Sequence, residues 1–406
     1  MKRLILLLAA LPAVLCAADF AQEREQVLAL GQLTTPPKTY AAEGFASEGG
    51  AKAIFFEALP WQGRPTRVFA WLGLPEKRAG KIPGIVLVHG GGGTAFKEWV
   101  QKWNECGYAA ISIAVEGQTD QRATKGAGAT VTGWKRHAWA GPERIGIYDD
   151  SDQPLKDQWM YHAIADVVLA NSLLRSLPEV EAGKVGLMGI SWGGVITSTA
   201  IGLDPRFAFA IPTYGCGHLF DSDNQYGKAL GGNALYREVW DPLVRLPRAK
   251  MPVLWFSWPE DKHFPLDCQA ACYHAAPGPH MVALVPGLKH GHQAGWNPPD
   301  SYAFAESIVR DGKPWCAQVQ AGVVAGQAQV KFATAKTPER AMLISTTDSG
   351  FTGGRTWIEA SATVEQQAGT WVVSAPLPPG TTAWYMNIRC GALTASSDYQ
   401  ETREQK

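Results

Sequence analysis

The sequence predicts a mostly parallel, doubly wound α/β sheet followed by a small β-sandwich, and three observations carry that prediction. Between about residues 84 and 310, short continuous apolar runs alternate with helical stretches, the pattern of parallel strands covered on both faces. Several of these runs end directly in glycine-rich or polar loops. After Pro314 the alternation stops and gives way to short strand-like runs separated by Gly, Asp and Pro turns.

The bulk properties fit such a chain. It has 406 residues, 46% hydrophobic and 18% charged, enough for a large core and for two domains or one with an appendage. Lys plus Arg and Asp plus Glu are both 37, so no charge footprint points to nucleic acid or to an anionic membrane surface. Sixteen Trp residues supply aromatic faces that fill cores or stack on flat ligands and sugars.

Taken in order, the chain opens with Met1-Lys2-Arg3, an apolar run from Leu4 to Leu15, and Cys16-Ala17-Ala18. Charged, apolar and small-residue regions in this order predict a secretory signal over 1–18, cleaved after Ala18 and too short to span a bilayer. The protein is therefore expected in the periplasm or outside the cell. Bulky Leu15 argues against lipid attachment at Cys16. Residues 19–50 form an N-terminal arm, with Thr35-Pro36-Pro37 ending a helix over 22–30. Residues 51–312 form the main domain and 313–406 the β-sandwich, of immunoglobulin or fibronectin type. Strands at 53–56 and 66–72 flank a Gly/Pro turn and read as a hairpin.

The run Gly84-Ile85-Val86-Leu87-Val88 is a buried strand that ends in His89-Gly90-Gly91-Gly92-Gly93. A phosphate-cradling loop would require Lys-Ser/Thr after the glycines, and Thr94-Ala95-Phe96-Lys97 does not supply it. An oxyanion hole requires only backbone N–H groups that approach a substrate oxygen closely, which glycines permit. A helix over 98–106 and a strand over 108–113 follow. Residues 115–158, rich in Gly, Arg, Trp and Asp, are too long for a plain connection and predict a rim or lid over a site. A helix over 159–177, a strand over 184–188, a helix to Ala200 and a strand over 207–212 resume the alternation. A second irregular stretch, 214–250, precedes strands at 252–256 and 280–285 and a last helix over 301–310. Beyond Pro314, strand-like runs fall at 317–332, 341–345, 355–360, 370–374 and 383–388.

The chemistry centres on Gly189-Ile190-Ser191-Trp192-Gly193. Gly-x-Ser-x-Gly between a strand and a helix describes a sharp turn that lifts a serine hydroxyl clear of a sheet. A serine needs a base, and the base needs an acid to fix its tautomer. On such a sheet these follow in the order Ser, acid, His. The loop Ser257-Trp258-Pro259-Glu260-Asp261-Lys262-His263 offers Asp261, ahead of Glu260 and Asp267. The loop Pro286-Gly287-Leu288-Lys289-His290-Gly291-His292 offers His290 ahead of His292, and one of that pair can line the pocket instead. His263 trails because it lies on the acid loop. Removal of the signal leaves Cys106, Cys216, Cys268, Cys272, Cys316 and Cys390, an even number that predicts some pairing, with Cys316 and Cys390 at the two ends of the β region. Cys268, Cys272 and His274 are a weak metal pattern, and neither metal nor cofactor is expected.

The segments from His89-Gly90-Gly91-Gly92-Gly93 through Gly189-Ile190-Ser191-Trp192-Gly193 to Asp261 and His290 resemble the α/β-hydrolase superfamily. Ser191-Trp192-Gly193-Gly194, Arg206-Phe207 leading to Tyr214-Gly215-Cys216-Gly217, and His290-Gly291-His292 are similar to exported acetyl xylan esterase-like or prolyl oligopeptidase-like proteins, related to dienelactone hydrolases. The similarity covers roughly residues 50–312. It implies a Ser191 nucleophile, Asp261 and His290 as its relay, and an oxyanion hole from the N–H of Trp192 with Gly91 or Gly92. Dienelactone hydrolases carry cysteine at this turn, and no propeller precedes the domain as in prolyl oligopeptidases. The resulting expectation is an exported serine esterase acting on a small-molecule or polysaccharide ester. A serine peptidase and a non-catalytic glycan-binding protein stand as alternatives, and oligomeric state is left open.

Overall fold

In a computed structural model, residues 19–123 and 128–402 are described, so the expected signal segment with Cys16 lies outside the described residues. The elements run α1 Ala21–Ala29, β1 Thr39–Ala41, β2 Ala51–Trp61, β3 Arg64–Gly73, β4 Ile82–Val88, α2 Lys97–Glu105, β5 Ala109–Ile113, β6 Gln118–Arg122 and β7 Trp134–Arg136. Then follow α3 Trp159–Ser176, β8 Val180–Ile190, α4 Trp192–Ala200, β9 Phe209–Thr213, α5 Gln225–Leu230, β10 Val253–Ser257, α6 Leu266–Ala275, β11 His280–Leu284, α7 His292–Trp296 and α8 Asp300–Asp311. The C-terminal strands are β12 Cys316–Val324, β13 Gln327–Thr334, β14 Arg340–Thr346, β15 Ile358–Gln367, β16 Thr370–Pro376, β17 Ala383–Cys390, β18 Leu393–Ser396 and β19 Gln400–Glu401.

Strands β5, β4, β8, β9, β10 and β11 lie side by side and parallel. The antiparallel hairpin β2–β3 joins them through β3 against β5. In β5, β9 and β10 every residue is buried, which is why those strands are apolar throughout rather than alternating. Helix α3 lies against β4, β5 and β8, and its buried residues go round the whole helix. The N-terminal arm also contributes to the core: Val27 and Leu30 are buried, and β1 extends the sheet beside β2.

The C-terminal strands form two sheets. One contains β12, β13, β16 and the second half of β15. The other contains the first half of β15, then β14, β17 and β18. The run 317–332 breaks into two strands at Ala325 and Gly326, both with left-handed φ, so it is a hairpin rather than one strand. Strand β18 also pairs antiparallel with β11, Val282 opposite Ser396, and so continues the main sheet into the C-terminal strands. Cys316 and Cys390, on strands of different sheets, are free thiols, as are the other four cysteines of the described residues.

Candidate active site

The turn at Ser191 is built by close backbone approach. A Cβ at Gly193 would lie 2.1 Å from the Val88 carbonyl oxygen, and one at Gly189 would meet the Gly193 backbone, so only glycine admits the crossing of α4 over β4. Ser191 itself holds φ 58° and ψ −117°, a sparsely populated region that costs about 1–3 kcal/mol for a residue with a side chain. The fold offsets this by two backbone bonds: the Ser191 N–H donates to Thr213 O at 2.9 Å, and its carbonyl accepts from Val195 N–H at 3.1 Å.

Asp261 and His290 meet beyond the carboxyl ends of β10 and β11. His290 Nδ1 lies 2.8 Å from Asp261 Oδ2. Asp261 is fully buried, and its other oxygen accepts the N–H groups of His263 and Phe264 at 2.9 and 3.0 Å. Both oxygens of the carboxylate are thus engaged, which fixes its orientation. The His290 ring packs against Tyr214 at a centroid distance of 4.5 Å and stacks with Phe264 at 5.9 Å. Tyr214 in turn donates its hydroxyl to Lys289 O at 2.9 Å, tying the histidine loop to the end of β9.

His292 stands elsewhere. Its Nε2 accepts the Gly90 N–H at 2.9 Å, and burial pushes its pKa down to about 4, so the ring is a neutral acceptor fastening the glycine loop. His89 does the same from the other side. Its Nδ1–H donates to Gly90 O at 2.8 Å, its Nε2 accepts Val115 N–H at 3.1 Å, and burial holds its pKa down near 3. The loop closes as a turn with Gly93 N–H on Gly90 O at 3.0 Å and Gly92 at φ +74°. Gly90 therefore spends its N–H on His292, whereas those of Gly91, Gly92 and Trp192 have no acceptor among the described residues. Gly91 borders the Trp192 indole, and Trp192 opens α4, where the N-terminal end of the helix favours negative charge.

Of the remaining candidates, Glu260 makes no side-chain hydrogen bond or ion pair among the described residues, and Asp267 accepts a hydrogen bond from Thr352 at 2.5 Å. His263 lies edge-on to His290 at 5.0 Å and bonds Gln225. Cys268 donates to His218 O, and Cys272 accepts the Gly217 N–H at 3.0 Å, both from the buried face of α6. No group of three or more His, Cys, Asp or Glu is placed to hold a metal ion among the described residues.

The 115–158 segment supplies what sequence reasoning missed. Arg144 stacks over the Trp192 indole with its guanidinium carbon 4.9 Å from the ring centroid. Its Nε donates to Glu116 at 3.2 Å and its Nη1 to Gly146 O, which leaves Nη2 beside Gly91. Glu116 is buried, and that burial lifts its pKa to about 7 against the pull of Arg144. Tyr148, Trp159 and Tyr226 close round the Trp192 ring. A larger cavity of about 800 Å³, bordered by His280, Trp315 and Asp398, contains none of these groups.

A serine in a strained strand-to-helix turn, a bonded Asp–His pair at later strand ends and a glycine loop whose N–H groups have no acceptor among the described residues lie on one edge of a parallel sheet, the arrangement of an α/β-hydrolase fold. The sequence model of the acetyl xylan esterase (AXE1) family matches residues 51–239, a span that includes Ser191 and ends before Asp261. Over that span the chain is similar to acetyl xylan esterases, and its sheet and helices form an α/β-hydrolase fold. Acetyl xylan esterase 1 from Thermoanaerobacterium sp. JW/SL YS485 has the same fold, with a TM-score of 0.53 and 20% identity over 70% of this chain and 91% of that one. Acetyl xylan esterase from Paenibacillus sp. R4 is similar at a TM-score of 0.52 and 19% identity, over 69% and 92% of the two chains. No curated protein sequence matches the chain.

Proposed function

We propose that this protein is an exported serine esterase that removes a short acyl group from a carbohydrate ester. Ser191 Oγ attacks the ester carbonyl, and His290 Nε2 takes the hydroxyl proton and returns it to the leaving alcohol. Asp261 Oδ2 holds the opposite ring nitrogen and stabilises the imidazolium as it forms. The N–H groups of Gly91, Gly92 and Trp192 receive the oxyanion. Water then attacks the acyl-enzyme by the same route and releases the acid. The observation that carries this reading is the 2.8 Å bond between His290 and the buried, doubly anchored Asp261. A short acyl group is proposed by analogy with the two similar crystal structures, which are named acetyl xylan esterases. The opening Met1-Lys2-Arg3 and apolar run support export. Among the described residues no helix is long and apolar enough to cross a membrane.

Ser191→Ala is expected to lower kcat for p-nitrophenyl acetate by at least about 10⁴-fold without lowering Tm, and to abolish labelling by a fluorophosphonate. Retained turnover in a folded variant would exclude Ser191 as nucleophile.

A further inference from the structure

Beside the glycine loop lies a second cavity of about 510 Å³, bordered by Gly92, Phe96, Asp120, Arg122, Trp134 and His292 among others. Two contacts place it next to the candidate reaction centre. His292 bonds Gly90, and a Cβ at Gly90 would lie 2.9 Å from Ser191 Cβ. Trp134 Nε1 donates to Gly92 O at 2.9 Å, so the wall of the cavity is fastened to the loop that carries the free N–H groups.

Its chemistry differs from that of the aromatic wall round Trp192. Asp120 receives Trp71 Nε1 on Oδ2 at 2.9 Å, and its Oδ1 has no partner among the described residues. Arg122 lies over Trp134 with its guanidinium carbon 3.5 Å from the ring centroid, and among the described residues its hydrogen bond is from Nη1 to Thr132 O. Lys97 and Glu98 add one charge of each sign, so the border is strongly polar yet balanced. The half-buried Phe96 ring lies 5.0 Å from His292 and offers an apolar face at the Ser191 end. Acceptors and donors next to an aromatic face, with no net charge, suit a ligand with many hydroxyls and C–H faces.

We propose that this cavity is the subsite for the leaving alcohol, that it takes a neutral saccharide ring, and that Asp120 and Arg122 select it by bonding its hydroxyls. The proposal rests on Ser191 being the nucleophile. An ester bound at Ser191 keeps its alcohol oxygen within reach of His290, and the rest of the alcohol then extends past the glycine loop into the Asp120–Arg122 cleft. Discrimination lies on the alcohol side, because a simple aryl leaving group offers no hydroxyls to those two residues.

The test compares hydrolysis of monoacetylated xylobiose with that of p-nitrophenyl acetate by the full chain and by Asp120→Asn and Arg122→Ala, with Tm measured for each. The expected result is a fall of at least tenfold in the ratio of kcat/KM for the saccharide ester to that for the aryl ester, carried by KM. Free xylobiose should inhibit aryl ester hydrolysis competitively, and less so in Asp120→Asn. A ratio that moves less than threefold, or equal losses on both esters, would overturn the subsite. Wild-type turnover of the aryl ester with neither turnover of the saccharide ester nor inhibition by xylobiose would also overturn it. Turnover of any ester that survives Ser191→Ala would instead remove the esterase mechanism on which the subsite rests.

Discussion

The two sides of the candidate site are held in different ways. On the Ser191, Asp261 and His290 side, each side chain stands just beyond the end of a parallel strand, and the backbone fixes it: two N–H groups grip Asp261, and Thr213 and Val195 grip Ser191. On the Glu116, Arg144 and Trp134 side, the anchors are side-chain bonds and stacking contacts made by an irregular segment. In the proposed mechanism, proton transfer, which tolerates little displacement, falls on the rigid sheet edge. On the same proposal, selection among substrates, which tolerates more, falls to a segment that can vary in length and composition without disturbing the sheet.

This contrast can be broken most severely at the histidines. His290→Ala is expected to lower kcat by about 10⁴-fold, whereas His292→Ala, which loosens only the Gly90 anchor, should cost about 10- to 100-fold. Comparable losses in steady-state assays of the two variants would mean that the sheet edge and the glycine loop share the base. A second effect concerns stability. The fold raises the Glu116 pKa from 4.5 to about 7, so its favourable contribution is complete below the unfolded value and is lost as pH rises through about 7. Urea unfolding at pH 5 and pH 8 should show a loss on the order of 2 kcal/mol from this group, and Glu116→Gln should flatten that slope. An unchanged slope in Glu116→Gln would place the titration elsewhere. The smallest effect is expected at Arg144, where Arg144→Met should reduce kcat/KM by about tenfold, with Arg144→Lys intermediate. A loss as large as that of His290→Ala would put a group of the irregular segment among those that perform the reaction.

Much of the rigid side was legible in the sequence. The runs at 84–88, 184–188, 252–256 and 280–285 are apolar at successive positions because helices cover both faces of the sheet, and the residues that follow them are those the structure brings to one edge. Asp261 and His290 could be chosen because a mechanism orders them after Ser191. Arg144 could not, since its stacking on Trp192 is a contact across 48 positions with no periodicity to announce it. Helix α6 has buried residues on more than one face, and α7 spans five residues, too few for a helical period to register. Strand β18 is four residues long and is a strand only because β11 and β17 lie on either side of it.

That pairing of β18 with β11 has a consequence for the integrity of the molecule. A parallel sheet that ended at β11 would offer the outward N–H and C=O groups of its last strand to any neighbouring chain. Here Ser396 and Asn387 take up the main chain of Leu284, Tyr399 N–H donates to the hydroxyl of Tyr273, and the turn at Gly353 lies against the Asp261 carbonyl. The C-terminal strands thus act as a selvedge, finishing the cloth of the main sheet where it would otherwise fray into its neighbours. A cut after Gly312 would therefore sever bonds that protect against aggregation and steady the acid loop, rather than free an independent module.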